Sequence, residues 1–337
     1  NTFPCRSTVA TSRRRSVCAV RTEGNAWSTH MSTRLRPVSR IGSEISISGA
    51  VVRVVVTAVT FVATLAAVGL VLAQFSTPNV LTNLPNQLPT LCGVAAVILV
   101  LCYLFETSPA AYGLSLDRRW LGDFAGGAVI GVLFQAVSTA AILATGIGRI
   151  VGSWSTGVFN DPVSVGIAIG ATATAFVIVG LWEDFLFRGV LIRELVVGFT
   201  SRKVSRPAAT GSAVVVSALV FGALHLNAGV AGLSASVAVT QAVIGGLYFG
   251  LAYVLTDSLA LPVGIHFSTN LWTTVVFGQP ESGYPAAFRL TRPFDLSADL
   301  IVVLLLPTAV LVAAVVLWVR ATRGEIPEAS LQRVKKH

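Results

Sequence analysis

The sequence is short of charge. Only 12% of its 337 residues are Asp, Glu, Lys or Arg, whereas a soluble domain carries about 25%. An ordinary soluble globular domain is excluded on that ground. Cysteine is scarce too. Cys5, Cys18, Cys92 and Cys102 have no metal-ligand spacing, and two of them fall in an apolar run, which excludes a disulfide framework and a zinc finger. There is no internal repeat, no glycine-rich phosphate loop and no second-domain pattern. Acid is scarcer than base, 15 residues against 24, for a formal charge of +9. That excess does not point to nucleic acid. The Arg and Lys residues sit in loops and tails, as in the cytoplasmic flanks of membrane helices. Methionine occurs once, at Met31.

What the chain has in quantity is apolar length, with 54% hydrophobic residues and a mean hydropathy of +0.77. In a bilayer only helices and closed barrels satisfy their own backbone. The apolar runs here are continuous and not alternating, which selects helices. Eight segments approach the ~20 residues that a span requires: 49–75, 87–105, 121–146, 163–190, 210–230, 235–256, 259–278 and 299–320. The expected fold is an all-α polytopic membrane bundle of about eight transmembrane helices. The fourth segment continues as an amphipathic helix to about Thr200, and Ser108 to Trp120 reads as an interfacial segment. One set of loops holds Arg34, Arg36, Arg40, Arg118, Arg119, Arg202, Lys203, Arg206, Arg320, Arg323, Arg333, Lys335 and Lys336; the alternate set holds only Arg149, Arg289 and Arg292. The asymmetry predicts that both termini are cytoplasmic. Residues 1–30, rich in Arg and Ser with Arg13-Arg14-Arg15, read as a non-native or targeting extension, with translation starting at Met31. A basic N-terminal segment (31–48), a membrane domain (49–320, core 163–278) and a basic tail (321–337) follow.

Three polar clusters interrupt the apolar segments. They are Glu183-Asp184 with Arg188, Phe221 with His225, and His266 with Asn270. An ionisable group at mid-bilayer costs at least ~2.5–3.5 kcal/mol on insertion scales, so several in one chain imply a buried polar site. The fourth and fifth spans form a hairpin about the basic loop 201–206, which brings Glu183 and His225 to one height. His266 lies about 12 Å beyond a cytoplasmic turn near Thr256-Asp257-Ser258, in the same half of the membrane, and Asn270 shares its helix face. Asp184 and Arg188 are spaced to pair, while Glu183 is turned toward a cavity. Glu183 with neutral His225 can hold and deprotonate a water. His266 and Asn270 supply two donors for an oxyanion. Taken singly, each cluster has a plainer explanation. Glu183-Asp184-Arg188 is an ion-pair cluster at a helix end, His225 a core histidine on a backbone carbonyl, His266 and Asn270 interhelical glue, and Phe221 packing. Only the joint pattern points to chemistry.

That joint pattern resembles the CPBP family, the CAAX proteases and bacteriocin-processing enzymes also called type II CAAX proteases or the Abi family. The family's first motif is two adjacent glutamates with an arginine four residues after the second, met here by Glu183-Asp184-x-x-x-Arg188. Phe221 and His225 meet Phe-x-x-x-His, and His266 and Asn270 meet His-x-x-x-Asn. The resemblance covers about residues 90–320 and implies a multi-helix intramembrane endopeptidase. By it, Glu183 acts with His225 on water, and His266 and Asn270 form the oxyanion site. Asp184 departs from the family's second glutamate by one methylene. No cofactor is predicted. Zinc, if present, would take Glu183, His225 and His266. The expected partners are the bilayer and a peptide or membrane-associated protein, cut near the cytoplasmic face, with no nucleic acid. Two alternatives remain open: a non-catalytic immunity or scaffold protein of the same fold, and a small proton-coupled transporter.

Overall fold

Three helices begin where a short polar side chain precedes an apolar run. Ser46 Oγ accepts from Gly49 N at 3.1 Å, Asp117 from Trp120 N at 2.8 Å, and Asp161 from Ser164 N at 2.9 Å. Each cap satisfies one of the amide donors that a helix start leaves open. The computed structural model describes residues 46–74, 87–226, 235–279, 282–292 and 304–324. The chain divides into compact units 1–37 and 38–337, and every described residue belongs to the second. The extension read at 1–30 and most of the basic flanking segments lie outside the described residues.

Eight helices are described: α1 (Ile47–Leu72), α2 (Leu88–Phe105), α3 (Arg118–Ala144), α4 (Pro162–Ser201), α5 (Arg206–Ala223), α6 (Ala235–Thr256), α7 (Ala260–Leu271) and α8 (Leu306–Arg323). All but α7 are long and apolar enough to cross a membrane. The chain is thus a multi-pass membrane helix bundle. α7 has 12 residues and lies at the centre, packed against α3, α4 and α6. Leu261, Val263 and Ile265 are fully buried. The seam between α7 and α3 is backbone on backbone. A Cβ on Gly264 would overlap the Phe124 carbonyl, and one on Gly127 the Leu261 carbonyl. Small residues at such spacing are what let membrane helices approach closely.

Two helices widen beside the polar clusters. α4 is α-helical to Asp184, takes π geometry over Phe185–Ile192 and returns to α at Arg193. α7 is followed by a second π segment, Trp272–Val276. Single π turns inside helices recur at functional sites.

Two local features add to this frame. In the segment 108–120 two aromatic side chains face inward. A 3₁₀ turn (Pro109–Tyr112) tucks Tyr112 into the core at 2% exposure, and Trp120 is buried. Its Nε1 donates to Gly113 O at 3.3 Å, and that carbonyl also accepts from Leu259 N at 2.9 Å. Both bonds dock the turn on the bundle. Second, the loops holding Arg149 and Arg289 carry strands. They form a small sheet of order β1-β3-β2, in which β1 (Arg149–Ser155) is antiparallel and β2 (Phe277–Gly278) parallel to β3 (Ala286–Thr291). The sheet lies where α3 ends, α4 begins and the π segment after α7 ends, opposite the basic loops.

Candidate active site

α4 presents Glu183 and Asp184 in successive positions, so the two carboxylates point in directions about 100° apart. Asp184 faces along the helix to Arg188. Its Oδ1 lies 3.2 Å from Arg188 Nε, and both side chains are wholly buried. Glu183 lines a cavity of about 830 Å³ together with Phe221, His225, His266 and Asn270. Every residue singled out from the sequence therefore either lines this cavity or stands directly behind it.

The guanidinium of Arg188 is held by aromatic faces. Its Cζ lies 4.2 Å from the centre of the Phe221 ring and 5.0 Å from that of Phe249. A cation over a ring face is worth about 2 kcal/mol or more when desolvated. Beyond the Asp184 contact, these rings are what replace water around a buried charge. Phe221 does more than fill space. Its ring also meets His225 edge-on with centroids 4.6 Å apart, and His266 at 6.5 Å. It is the shared wall of the arginine and both histidines.

His225 sits just past the end of α5 and is half-buried. Its Nδ1–H donates to the Phe221 carbonyl at 2.8 Å. A carbonyl can only accept, so Nδ1 carries a proton and Nε2 is the ring nitrogen left for other contacts. The plain reading of His225 as a backbone-bonded histidine is correct, and the same bond leaves the other nitrogen available to a ligand.

His266 occupies a position the sequence did not suggest. Its Nε2 is 3.5 Å from Glu183 Oε2, and its Nδ1 is 3.5 Å from Asp184 Oδ2. Both distances are long for hydrogen bonds, yet the ring plainly stands between the two acids. Phe249 stacks on it at 4.7 Å with the planes 22° apart. The cluster sets one guanidinium and one imidazole among two carboxyl groups. Asn270 lies one turn further on, half-buried in the cavity wall. Sequence reasoning missed Phe249 and Tyr248, both of which line the cavity. The only available signal was that a buried Arg requires aromatic or anionic neighbours; which phenylalanines of an apolar helix supply them is decided by packing.

Whether Glu183, His225 and His266 could form a zinc site is a question of grouping. Among the described residues, no group of three His, Cys, Asp or Glu that could hold a metal ion is found.

No curated protein and no solved structure matches the chain. Residues 165–272, which carry all three motifs and part of the cavity wall, do match the family model described as Type II CAAX prenyl endopeptidase Rce1-like. The segment that builds this site is therefore similar to the peptidase family that its motifs resemble.

Proposed function

We propose that the protein is an intramembrane endopeptidase that hydrolyses a peptide bond with a water activated by Glu183 and His225. The observation that supports this most is the convergence of Glu183, His225, His266 and Asn270 on one cavity, within the segment that matches the endopeptidase family. Water held between the Glu183 carboxylate and His225 Nε2 attacks the carbonyl carbon of the scissile bond. Its proton passes to Glu183. The carbonyl oxygen becomes an oxyanion, for which the Asn270 amide N–H is the donor on the wall. The C–N bond then breaks as the proton held by Glu183 moves to the leaving nitrogen, giving a new carboxylate and a new amine.

His266 has a double role in this reading. It donates toward Glu183, and its position between the acids holds Glu183 at a fixed distance from the Asp184–Arg188 pair. Asp184 and Arg188 touch no substrate; they are positioning residues that stiffen the helix presenting Glu183. Hydrolysis without a metal is part of the proposal.

The test is cleavage of a peptide library by purified protein in liposomes, read by mass spectrometry. Glu183→Gln keeps the shape and removes the base. Turnover should fall on the order of 10²–10⁴, the usual contribution of a general base, with the melting temperature unchanged. Near-normal turnover by Glu183→Gln, or no cleavage by the wild type in any library, would move the scaffold reading ahead.

A further inference from the structure

We infer that Tyr248 is a further catalytic residue, whose hydroxyl donates a hydrogen bond to the oxyanion formed at the scissile carbonyl, beside the Asn270 amide. The inference deepens the peptidase reading and rests on it.

A tetrahedral oxyanion accepts more than one hydrogen bond, and the donors that stabilise it are fixed in place before the reaction. Several polar groups on the cavity wall are already engaged. Gln135 Nε2 donates to Thr269 O at 3.5 Å, Thr269 Oγ1 to His266 O at 2.9 Å, Thr273 Oγ1 to Thr269 O at 3.2 Å and Trp272 Nε1 to Thr139 Oγ1 at 3.1 Å. Tyr248 differs from them. It lines the cavity, and among the described residues nothing accepts from its hydroxyl. A tyrosine hydroxyl drawn into a protein ordinarily finds a partner, as Tyr112 does with Glu194 Oε1 at 3.3 Å. A donor on the cavity wall without a protein acceptor suits an acceptor that arrives with the substrate.

The height of the hydroxyl matches that of the site. α6 ends at Thr256 and α7 begins at Ala260, and neighbouring helices joined by so short a link run antiparallel. Phe249 of α6 stacks on His266 of α7 at 4.7 Å, which sets the register of the two. Gly245 is one turn back along α6 from Phe249, about 6 Å, and Asn270 is one turn on along α7 from His266, the same rise. The Tyr248 side chain leans back along its helix, as helical side chains do. A Cβ added at Gly245 would come 3.6 Å from the Tyr248 hydroxyl oxygen. The hydroxyl and the Asn270 amide thus stand at one level. α3 gives an independent check. Phe134 packs on the Tyr248 ring, and its neighbour Gln135 bonds to Thr269, next to Asn270. Gln241, the amide on the α6 part of the wall, is about 12 Å from Phe249 along the helix and falls one turn beyond this level.

The ring is held as well as placed. Phe134 and Phe249 meet it with centroids 5.6 and 4.6 Å away, so the hydroxyl is aimed before substrate arrives. It keeps its proton throughout. The bond it offers is weak to the neutral carbonyl oxygen and strong to the oxyanion, and only such a difference accelerates a step.

The experiment compares wild type, Tyr248→Phe and Glu183→Gln in liposomes on one peptide from the library, with kcat, KM and melting temperature measured for each. Tyr248→Phe removes a single oxygen and keeps both ring contacts. Its kcat should fall about 10²-fold, the low end of what loss of one oxyanion donor costs, with KM and melting temperature unchanged. Binding of a phosphinic analogue of that peptide, whose tetrahedral centre mimics the oxyanion, should weaken by at least ~10-fold in Tyr248→Phe. Unchanged kcat in Tyr248→Phe beside an inactive Glu183→Gln overturns the inference and leaves the peptidase reading standing. So does a loss of kcat that comes with a lower melting temperature and unaltered binding of the analogue, which is the mark of a merely structural tyrosine. A wild type that cleaves no peptide refutes the peptidase reading, and the inference falls with it.

Discussion

Asp184→Asn tests how the buried arginine is supported. The substitution keeps the shape of the side chain and removes one charge, 3.2 Å from Arg188 Nε in a region with no exposure to solvent. At an effective dielectric constant of ~20, that separation corresponds to about 5 kcal/mol of attraction. Breaking a buried pair from one side typically costs ~3–5 kcal/mol. Not all of it should be lost, because Phe221 and Phe249 still face the guanidinium at 4.2 and 5.0 Å, and such contacts keep about 2 kcal/mol when desolvated. The expected loss is therefore near ~3 kcal/mol, the low end of that range. For a domain of this size it corresponds to a fall in melting temperature of about 6–12 °C. The assay is thermal unfolding in detergent, followed by tryptophan fluorescence; Trp182, next to the acid pair and stacked on Phe61 at 5.3 Å, is a local reporter. The double variant Asp184→Asn with Arg188→Met removes the stranded charge as well and should recover most of the loss, since buried pairs exchanged for apolar groups are often neutral in stability. An Asp184→Asn protein as stable as the wild type, or a double variant less stable than the single, would refute the argument that Arg188 depends on this carboxylate.

Phe221→Leu removes the ring that faces Arg188, His225 and His266; it should lower both melting temperature and turnover, the latter by about tenfold, as a 1.4 kcal/mol disturbance of the active geometry would, and unchanged turnover would count against Phe221 as a shared wall. Gly264→Val places a branched side chain against the Phe124 carbonyl and should abolish recovery of monodisperse protein, whereas Gly211→Ala, where an added Cβ meets nothing within 4 Å, should be recovered normally. Activity should persist in excess chelator; stoichiometric zinc in active protein, with activity lost on its removal, would overturn the metal-free mechanism. Burial, and secondarily Glu194, push the Tyr112 hydroxyl up to about 12 from 10.0. Its contribution to stability is present below pH 10 and is lost as pH rises through about 12; the alkaline limb of the stability curve should be shallower in Tyr112→Phe.

Much of this architecture was legible because membranes punish ambiguity. A run such as 235–256 has one structural solution in lipid, and the helix found there has the expected bounds. Pairing of Asp184 with Arg188 was legible for the same reason, since helical spacing leaves a buried arginine few partners. The small sheet was not legible. Its strands are short, β1 is mostly exposed, and β1 and β3 are joined only through the pairing of loops distant in sequence. The place of His266 between two acids was not legible either. It depends on the angle at which α7 crosses α4, which the close α3–α7 seam sets and no periodicity encodes. Asn270, by contrast, follows His266 by one helical turn and fell where the spacing put it.

The brevity of α7 explains where the cavity comes from. Its 12 α-helical residues rise about 18 Å at 1.5 Å each, against a hydrocarbon layer of ~30 Å. A helix that stops short in the middle of a ring of longer ones leaves a column of unfilled volume above its end. The chain leaves that column sideways, through a π turn and into the sheet, where its backbone groups find partners other than lipid. The volume over the acids is thus a consequence of length, and extending the helix by two turns would fill it without altering a single reacting group.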